Sequence, residues 1–354
     1  MKKLAVLAMV LAMTATTLAG CGSEATAEPA AETTATEEEV STEVAEEESE
    51  EAPAAEAAAD GTVYNIGICQ LVQHPALDAA TEGFQDALTE KLGDNVVFDL
   101  QNASGDSPLC ATIVNQFVAA DVDLILANAT AALQAAAQAT EDIPILGTSI
   151  TDYATALDID NWTGTTGVNI SGTSDLAPLE EQAAMLNELF PDAKTVGLLY
   201  CSAEPNSEYQ VGIVKESLEK MGYTCETYTF TDSNDIASVT TAAVSKCDVI
   251  YIPTDNTAAN NTEVINNICI PKEVPVIAGE EGICSGCGVA TLSISYYDIG
   301  YKAGEMAYEI LVNGADVSTM PIEFAPQVTK KYNVENCEAL GITVPDDYVA
   351  IEAE

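Results

Sequence analysis

Between Tyr64 and Ile252 the chain alternates short β-rich runs with amphipathic helical stretches, and it does so twice at nearly the same spacing. Ile66–Cys69, Val96–Leu100, Val122–Leu126 and Ile143–Leu146 have strand character. Between them Leu77, Ala80, Phe84, Leu88 and Leu92 recur on one helical face, as do Ile113, Phe117 and Ala120, and Ala131–Ala139 is an Ala-rich helix. The pattern restarts at Thr195–Tyr200, runs through a helix carrying Tyr209, Ile213, Leu218 and Met221, and continues with strands at Cys225–Phe230 and Val249–Ile252. Ile66 precedes Leu124 by 58 residues, and Val196 precedes Val249 by 53. Strands joined by helices need crossover connections and a parallel sheet covered on both faces, so the chain is α/β. Two near-equal spacings predict two similar doubly wound parallel-sheet lobes joined by a hinge, rather than one long sheet. A late helix, Tyr296–Val312, follows both repeats and must return to a lobe already formed. The expected lobes are therefore residues 61–170 plus 293–315, and 171–292 plus 316–354.

The first sixty residues are of another kind. Lys2 and Lys3 precede an apolar run that ends in Leu18-Ala19-Gly20-Cys21. A basic start, a short apolar stretch and small residues before a cleavage point make a secretory signal, too short to span a bilayer. The ending resembles the bacterial lipoprotein signal, which implies removal of residues 1–20 and lipidation of Cys21. Residues 22–60 hold fourteen acids and no Lys. Such a composition buries too little apolar surface to offset its ordering entropy, so residues 21–60 are expected to be a disordered acidic tether. The folded part is expected on the extracytoplasmic face of the cell membrane, held by its lipid.

Beyond residue 60 there are 43 acids, nine Lys and no Arg. That charge repels nucleic acid and anionic lipid headgroups, which excludes both as direct partners. Without a guanidinium, a ligand carboxylate must be met by backbone N–H groups, hydroxyls or Lys. The nine cysteines of this part are odd in number and irregularly spaced, which reads as small buried hydrophobes rather than a disulfide framework. Cys284 and Cys287 have metal-ligand spacing, but neither a second pair nor a neighbouring His completes a site, so no metal and no cofactor are expected. His74 is the only His and no Gly-x-Ser-x-Gly elbow occurs, so no catalytic residue is assigned and the chain is not expected to be an enzyme.

In open parallel sheets, ligands lie beyond the carboxyl ends of the strands, before the helix N-termini. The loops at those places carry Gln70 and His74 after the first strand, Thr130 after the third, and Ser149 and Asp152 after the fourth. The second repeat offers Glu204, Asn206 and Ser207, then Asp255 and Asn256. Hydroxyls and N–H groups suit a carboxylate, and Asp152, Glu204 or Asp255 suit an ammonium, so the expected ligand is a small zwitterion.

His74-Pro75-Ala76-Leu77-Asp78, Thr151-Asp152, Glu204-Pro205-Asn206-Ser207, Asp255-Asn256 and Ser295-Tyr296-Tyr297-Asp298-Ile299-Gly300 together resemble one family. It is that of ABC-transporter substrate-binding proteins of the tryptophan/aromatic amino-acid type, with a periplasmic-binding fold of the first class. The resemblance covers about residues 65–345. It implies a monomeric receptor that closes on an amino acid and delivers it to an ABC permease and its ATPase. Tyr153 stands where the family usually has Pro, and Gly147 where a bulkier residue is common. A sugar or nucleoside receptor, or a ligand sensor signalling to a membrane partner, is the alternative reading.

Overall fold

Strands buried at every position belong to parallel sheets covered on both faces, and Leu124–Asn128 and Val249–Ile252 are of this kind. The computed structural model describes residues 61–351; the signal peptide, Cys21 and the acidic tether lie outside the described residues. The first lobe runs β1 (Tyr64–Gln70), α1 (Pro75–Leu92), β2 (Val96–Asn102), α2 (Ser107–Ala119), β3 (Leu124–Asn128), α3 (Thr130–Ala139), β4 (Ile145–Ile150), α4 (Tyr153–Leu157) and β5 (Ile170–Ser174). The second runs α5 (Leu179–Leu189), β6 (Thr195–Cys201), α6 (Pro205–Met221), β7 (Thr224–Phe230), α7 (Ile236–Val244), β8 (Val249–Ile252), α8 (Asn256–Ala259), α9 (Thr262–Cys269), β9 (Val276–Ala278), α10 (Glu281–Cys287) and β10 (Ala290–Ser293). After them come α11 (Tyr296–Leu311), β11 (Glu323–Phe324), β12 (Thr329–Tyr332), α12 (Val334–Leu340) and β13 (Val349–Ala350).

Two doubly wound sheets result. The first has the order β2-β1-β3-β4-β5-β11 and is parallel throughout. The second has the order β7-β6-β8-β9-β10-β12-β13, parallel except where β12 runs against β10. An apolar core lies on each face of each sheet. The edge strand β2 exposes Val97 and Leu100, while its inner neighbours are sealed.

The lobe boundaries differ from the expected ones. Residues 171–174 belong to β5 in the first sheet, and β11 returns residues 323–324 to that sheet as well. The chain thus crosses between lobes at 175–178, at 294–295 and at 325–328. The strand Ile-Ser-Gly-Thr-Ser has one large apolar residue and no β signature, because it must fit a tight place. A Cβ on Gly172 would stand 2.0 Å from Gly147 O and 2.5 Å from the Tyr153 hydroxyl. A Cβ on Gly147 would also stand 2.5 Å from that hydroxyl, which donates to Thr173 O at 3.1 Å. The two departures from the family pattern therefore answer each other: Tyr153 fits because residue 147 has no side chain. The third and fourth strands also begin later than the β-rich runs indicate. Val122 N–H donates to Phe117 O and closes α2, and Pro144 has no N–H to give a ladder.

All nine cysteines of the described residues are free, and eight are buried. Cys284 and Cys287 are sealed inside α10. No group of His, Cys, Asp or Glu among the described residues is placed to hold a metal ion. No helix among them is long and apolar enough to cross a membrane.

Candidate functional site

The lobes meet at the carboxyl ends of their strands. Pro75 opens α1 at its first turn, which leaves His74 as the extended residue before the helix. Its Nε2 lies 3.2 Å from Asn256 Oδ1 of the other lobe. Two cavities open in this interlobe region. One, of about 560 Å³, lies by the hinge and is lined by Pro75, Ala76, Ala259, Glu280, Ser293 and Tyr296 among others. The second, of about 350 Å³, has walls that include Leu71, Gly105, Gln134, Glu204, Asn206 and Asn256. Both sizes suit a small organic ligand.

The residues expected to bind separate into two groups. Those of the second lobe hold one another. Glu204 accepts from Asn256 N (3.0 Å), Asn256 Nδ2 (2.8 Å), Thr257 N (2.9 Å), Thr257 Oγ1 (2.7 Å) and Asn206 Nδ2 (3.3 Å). Asp255 accepts from Cys201 N (2.7 Å), Ser207 Oγ (2.8 Å) and Ala258 N (2.8 Å). Asn206 also donates to Thr254 O at 3.2 Å. These side chains cap α8 and tie the loops after β6 and β8 together. Burial, with the nearby Glu204 charge, pushes the Asp255 carboxyl up to about 8. Neither acid is left as an open acceptor for an ammonium.

Those of the first lobe are less committed, except Gln70. Its amide donates to Asp78 Oδ1 (2.6 Å) and Val72 O (2.9 Å) and accepts from Thr81 Oγ1 (2.7 Å), an internal lock on the first loop. Asp152 caps α4 by accepting from Thr155 N at 2.7 Å, and its charge reaches Tyr209 of the other lobe. Thr130 begins α3. Ser149 is buried with no partner for its hydroxyl. Two strained backbones sit beside these residues: Ala129 has φ 89° and Ser149 has φ 57°. Both are non-glycine residues in left-handed territory at adjacent strand ends, and strain of this kind collects at functional sites.

Two further acids converge at the hinge. Asp175, on the first crossing, accepts from Thr151 Oγ1 and from the Tyr296 hydroxyl, both at 2.9 Å. Glu280, before α10, accepts from Gly282 N at 2.6 Å and from Ile283 N. It is almost fully buried on the cavity wall, and among the described residues no cation pairs with it. Burial pushes its carboxyl up to about 7, against the pull of those two N–H groups. Its neighbour Glu281 is already paired with Lys331 at 2.5 Å. Sequence reasoning passed over these positions because it stopped at the loop after β8. The same rule applied to Val276–Ala278 leads directly to Glu280, whereas Asp175 follows a strand that leaves no pattern.

The fold has close counterparts. Residues 65–354 match the family described as ABC transporter substrate binding protein. A tyrosine-binding protein of Clostridioides difficile is 37% identical over 281 residues, 78% of this chain and 81% of the relative. The ABC domain from Streptococcus pneumonia in complex with L-Trp is 34% identical with a TM-score of 0.77, over 80% of this chain and 97% of that one. The ligand-free, open structure of a substrate binding protein with adhesive properties from Clostridium difficile is 38% identical, over 82% and 100% of the two chains. Its TM-score is 0.64. With two parallel-sheet lobes, an interlobe cavity and a match across nearly all of the described residues, the chain belongs to the ABC transporter substrate binding protein family.

Proposed function

We propose that this chain is a lipid-anchored extracytoplasmic receptor that captures an aromatic amino acid between its lobes and passes it to a membrane permease with its ATPase. Glu280 carries the reading: a buried carboxyl with no cation beside it among the described residues, on the wall of a cavity shared by both lobes. A ligand ammonium supplies the missing charge and restores the ionised form. In the absence of Arg, the ligand carboxylate is met by hydroxyls and backbone N–H groups of the same wall, where Ser293 and Ser295 lie. Pro75, Ala76, Ala79, Ala259, Ile294 and Tyr296 give the cavity an apolar wall for a ring. The relatives named for tyrosine and solved with L-Trp support the same ligand class. Hinge closure about the three crossings brings the two sets of contacts together.

The ligand class is tested by thermal unfolding of the mature chain against L-tyrosine, L-tryptophan, sugars and nucleosides. An aromatic amino acid at a hundred times its dissociation constant should add about 2.7 kcal/mol of stability. Stabilisation by sugars alone would end the amino-acid reading. The anchor is tested separately: Cys21→Ser should move the chain from the membrane fraction to the medium. A variant that stays with the membrane would show that Cys21 does not hold it there.

A further inference from the structure

His74, the chain's only histidine, bridges the lobes through Nε2 and Asn256 Oδ1 at 3.2 Å. Its proton position follows from a chain of acceptors. Glu204 Oε2 accepts from Asn256 Nδ2 at 2.8 Å, and a carboxylate can only accept. The Asn256 amide is thereby oriented with its oxygen toward the ring. That oxygen also only accepts, so the hydrogen sits on Nε2 and Nδ1 presents a bare lone pair. Nδ1 is buried and without a partner.

We propose that the His74–Asn256 hydrogen bond is the latch of the closed state, and that His74 makes it only as the neutral ring with its hydrogen on Nε2. The other neutral tautomer would set a lone pair against the Asn256 oxygen. The charged ring would leave an unanswered N–H at Nδ1 and a positive charge in a dry contact. Glu204 and Asp78 are the acids that face the ring, and with the Asn256 bond they favour that charge. Burial outweighs them and lowers the pKa from the ordinary histidine range. When the lobes part, Asn256 leaves with the second lobe, water reaches the ring, and titration returns to about 6.5. Closure therefore releases a proton in acidic medium, and ligand affinity falls as pH drops below that range. His74 acts here as a positioning residue for any occupant that shuts the lobes, so the latch goes beyond the identity of the ligand proposed above.

A single histidine makes the test direct. Ring-nitrogen NMR shifts of the mature chain are followed between about pH 5 and pH 8, with and without saturating L-tyrosine. On closure the midpoint should fall below that of the ligand-free chain, and the spectrum should show the Nε2–H tautomer. L-tyrosine affinity should weaken by up to roughly tenfold more between about pH 7.5 and pH 5.5 in the wild type than in His74→Gln, whose amide donates without titrating. His74→Phe, which has no donor, should bind more weakly than His74→Gln. An unmoved midpoint in the bound chain, or the same loss in His74→Gln, overturns the latch. If L-tyrosine does not bind, the ligand reading fails and the latch is read without it. The solution radius of gyration should then grow on acidification and be large in His74→Phe at every pH. A radius insensitive to both changes overturns the latch independently.

Discussion

Gly300→Val is expected to lower the folding stability by about 3 kcal/mol, a large part of an ordinary margin of about 5–15 kcal/mol. The late helix α11 lies against α1 with backbone touching backbone. A Cβ on Gly300 would stand 2.0 Å from Ala80 O, and one on Gly83 2.2 Å from Tyr297 O. Gly304 is similarly blocked by Phe84 O and the Ala87 Cβ, both at 2.7 Å. Where the obstruction is a side chain, a rotamer change can relieve it; a carbonyl inside a helix cannot move without the helix. Valine therefore has to push α11 away. The helix then withdraws Ala303, Met306 and Ala307 from the core that they share with Ile66, Phe84 and Leu126. Gly212→Ala is the control: it lies within α6 with nothing within 4 Å of its added Cβ, so it should leave stability unchanged or raise it by up to about 1 kcal/mol. Urea unfolding of the three chains decides the matter. A Gly300→Val midpoint equal to the wild type would mean that the helices do not meet as closely as described.

That helix also shows what was legible in the sequence and what was not. Its apolar face and its position after both repeats were readable, and they implied a return to an earlier lobe. Long buried strands such as β3 and β8 announce themselves, because parallel sheets covered on both faces demand continuous apolar residues. β5 does not, since its small residues answer to the close approach of Gly147, Gly172 and Tyr153, a constraint set by tertiary contact alone. The lobe boundary was misplaced for that reason. At the cleft, the rule of reading loops at strand ends found the right loops but could not rank them. Glu204 and Asp255 look from sequence like open acceptors for an ammonium. Their donors lie about fifty residues away in the chain, from Cys201 N to Asp255 and from Thr257 N to Glu204, and only folding brings them together. Glu280 is the converse. It caps α10 while its neighbour Glu281 takes Lys331, and its lack of a cation becomes visible only once the cavity is formed.

Glu280→Gln is expected to weaken L-tyrosine or L-tryptophan binding by about 2–3 kcal/mol, roughly 30- to 150-fold, by removing the charge proposed to meet the ammonium. The pH dependence gives the substitution a signature that a loosened fold would not share. Burial raises the Glu280 carboxyl from its ordinary range to about 7, so the folded chain holds this proton more tightly than the unfolded chain does. The sign follows: its contribution to stability is fully present below about 4.5 and is lost as pH rises through about 7. Ligand binding runs the other way. The ammonium pairs with the ionised carboxyl, so wild-type affinity should climb as pH rises through about 7, apart from the histidine contribution centred lower. Glutamine has no proton to lose in this range and should remove the Glu280 part of both profiles, leaving the Asp255 part of the stability curve and the His74 part of the binding curve in place. Titration calorimetry and urea unfolding at about pH 5, 6.5 and 8 measure both slopes on the same preparations. Full affinity in Glu280→Gln would remove the ammonium from this wall. A weaker ligand with an undiminished slope near pH 7 would assign the titration to another group, since Glu280 is the cavity acid that burial places in that range.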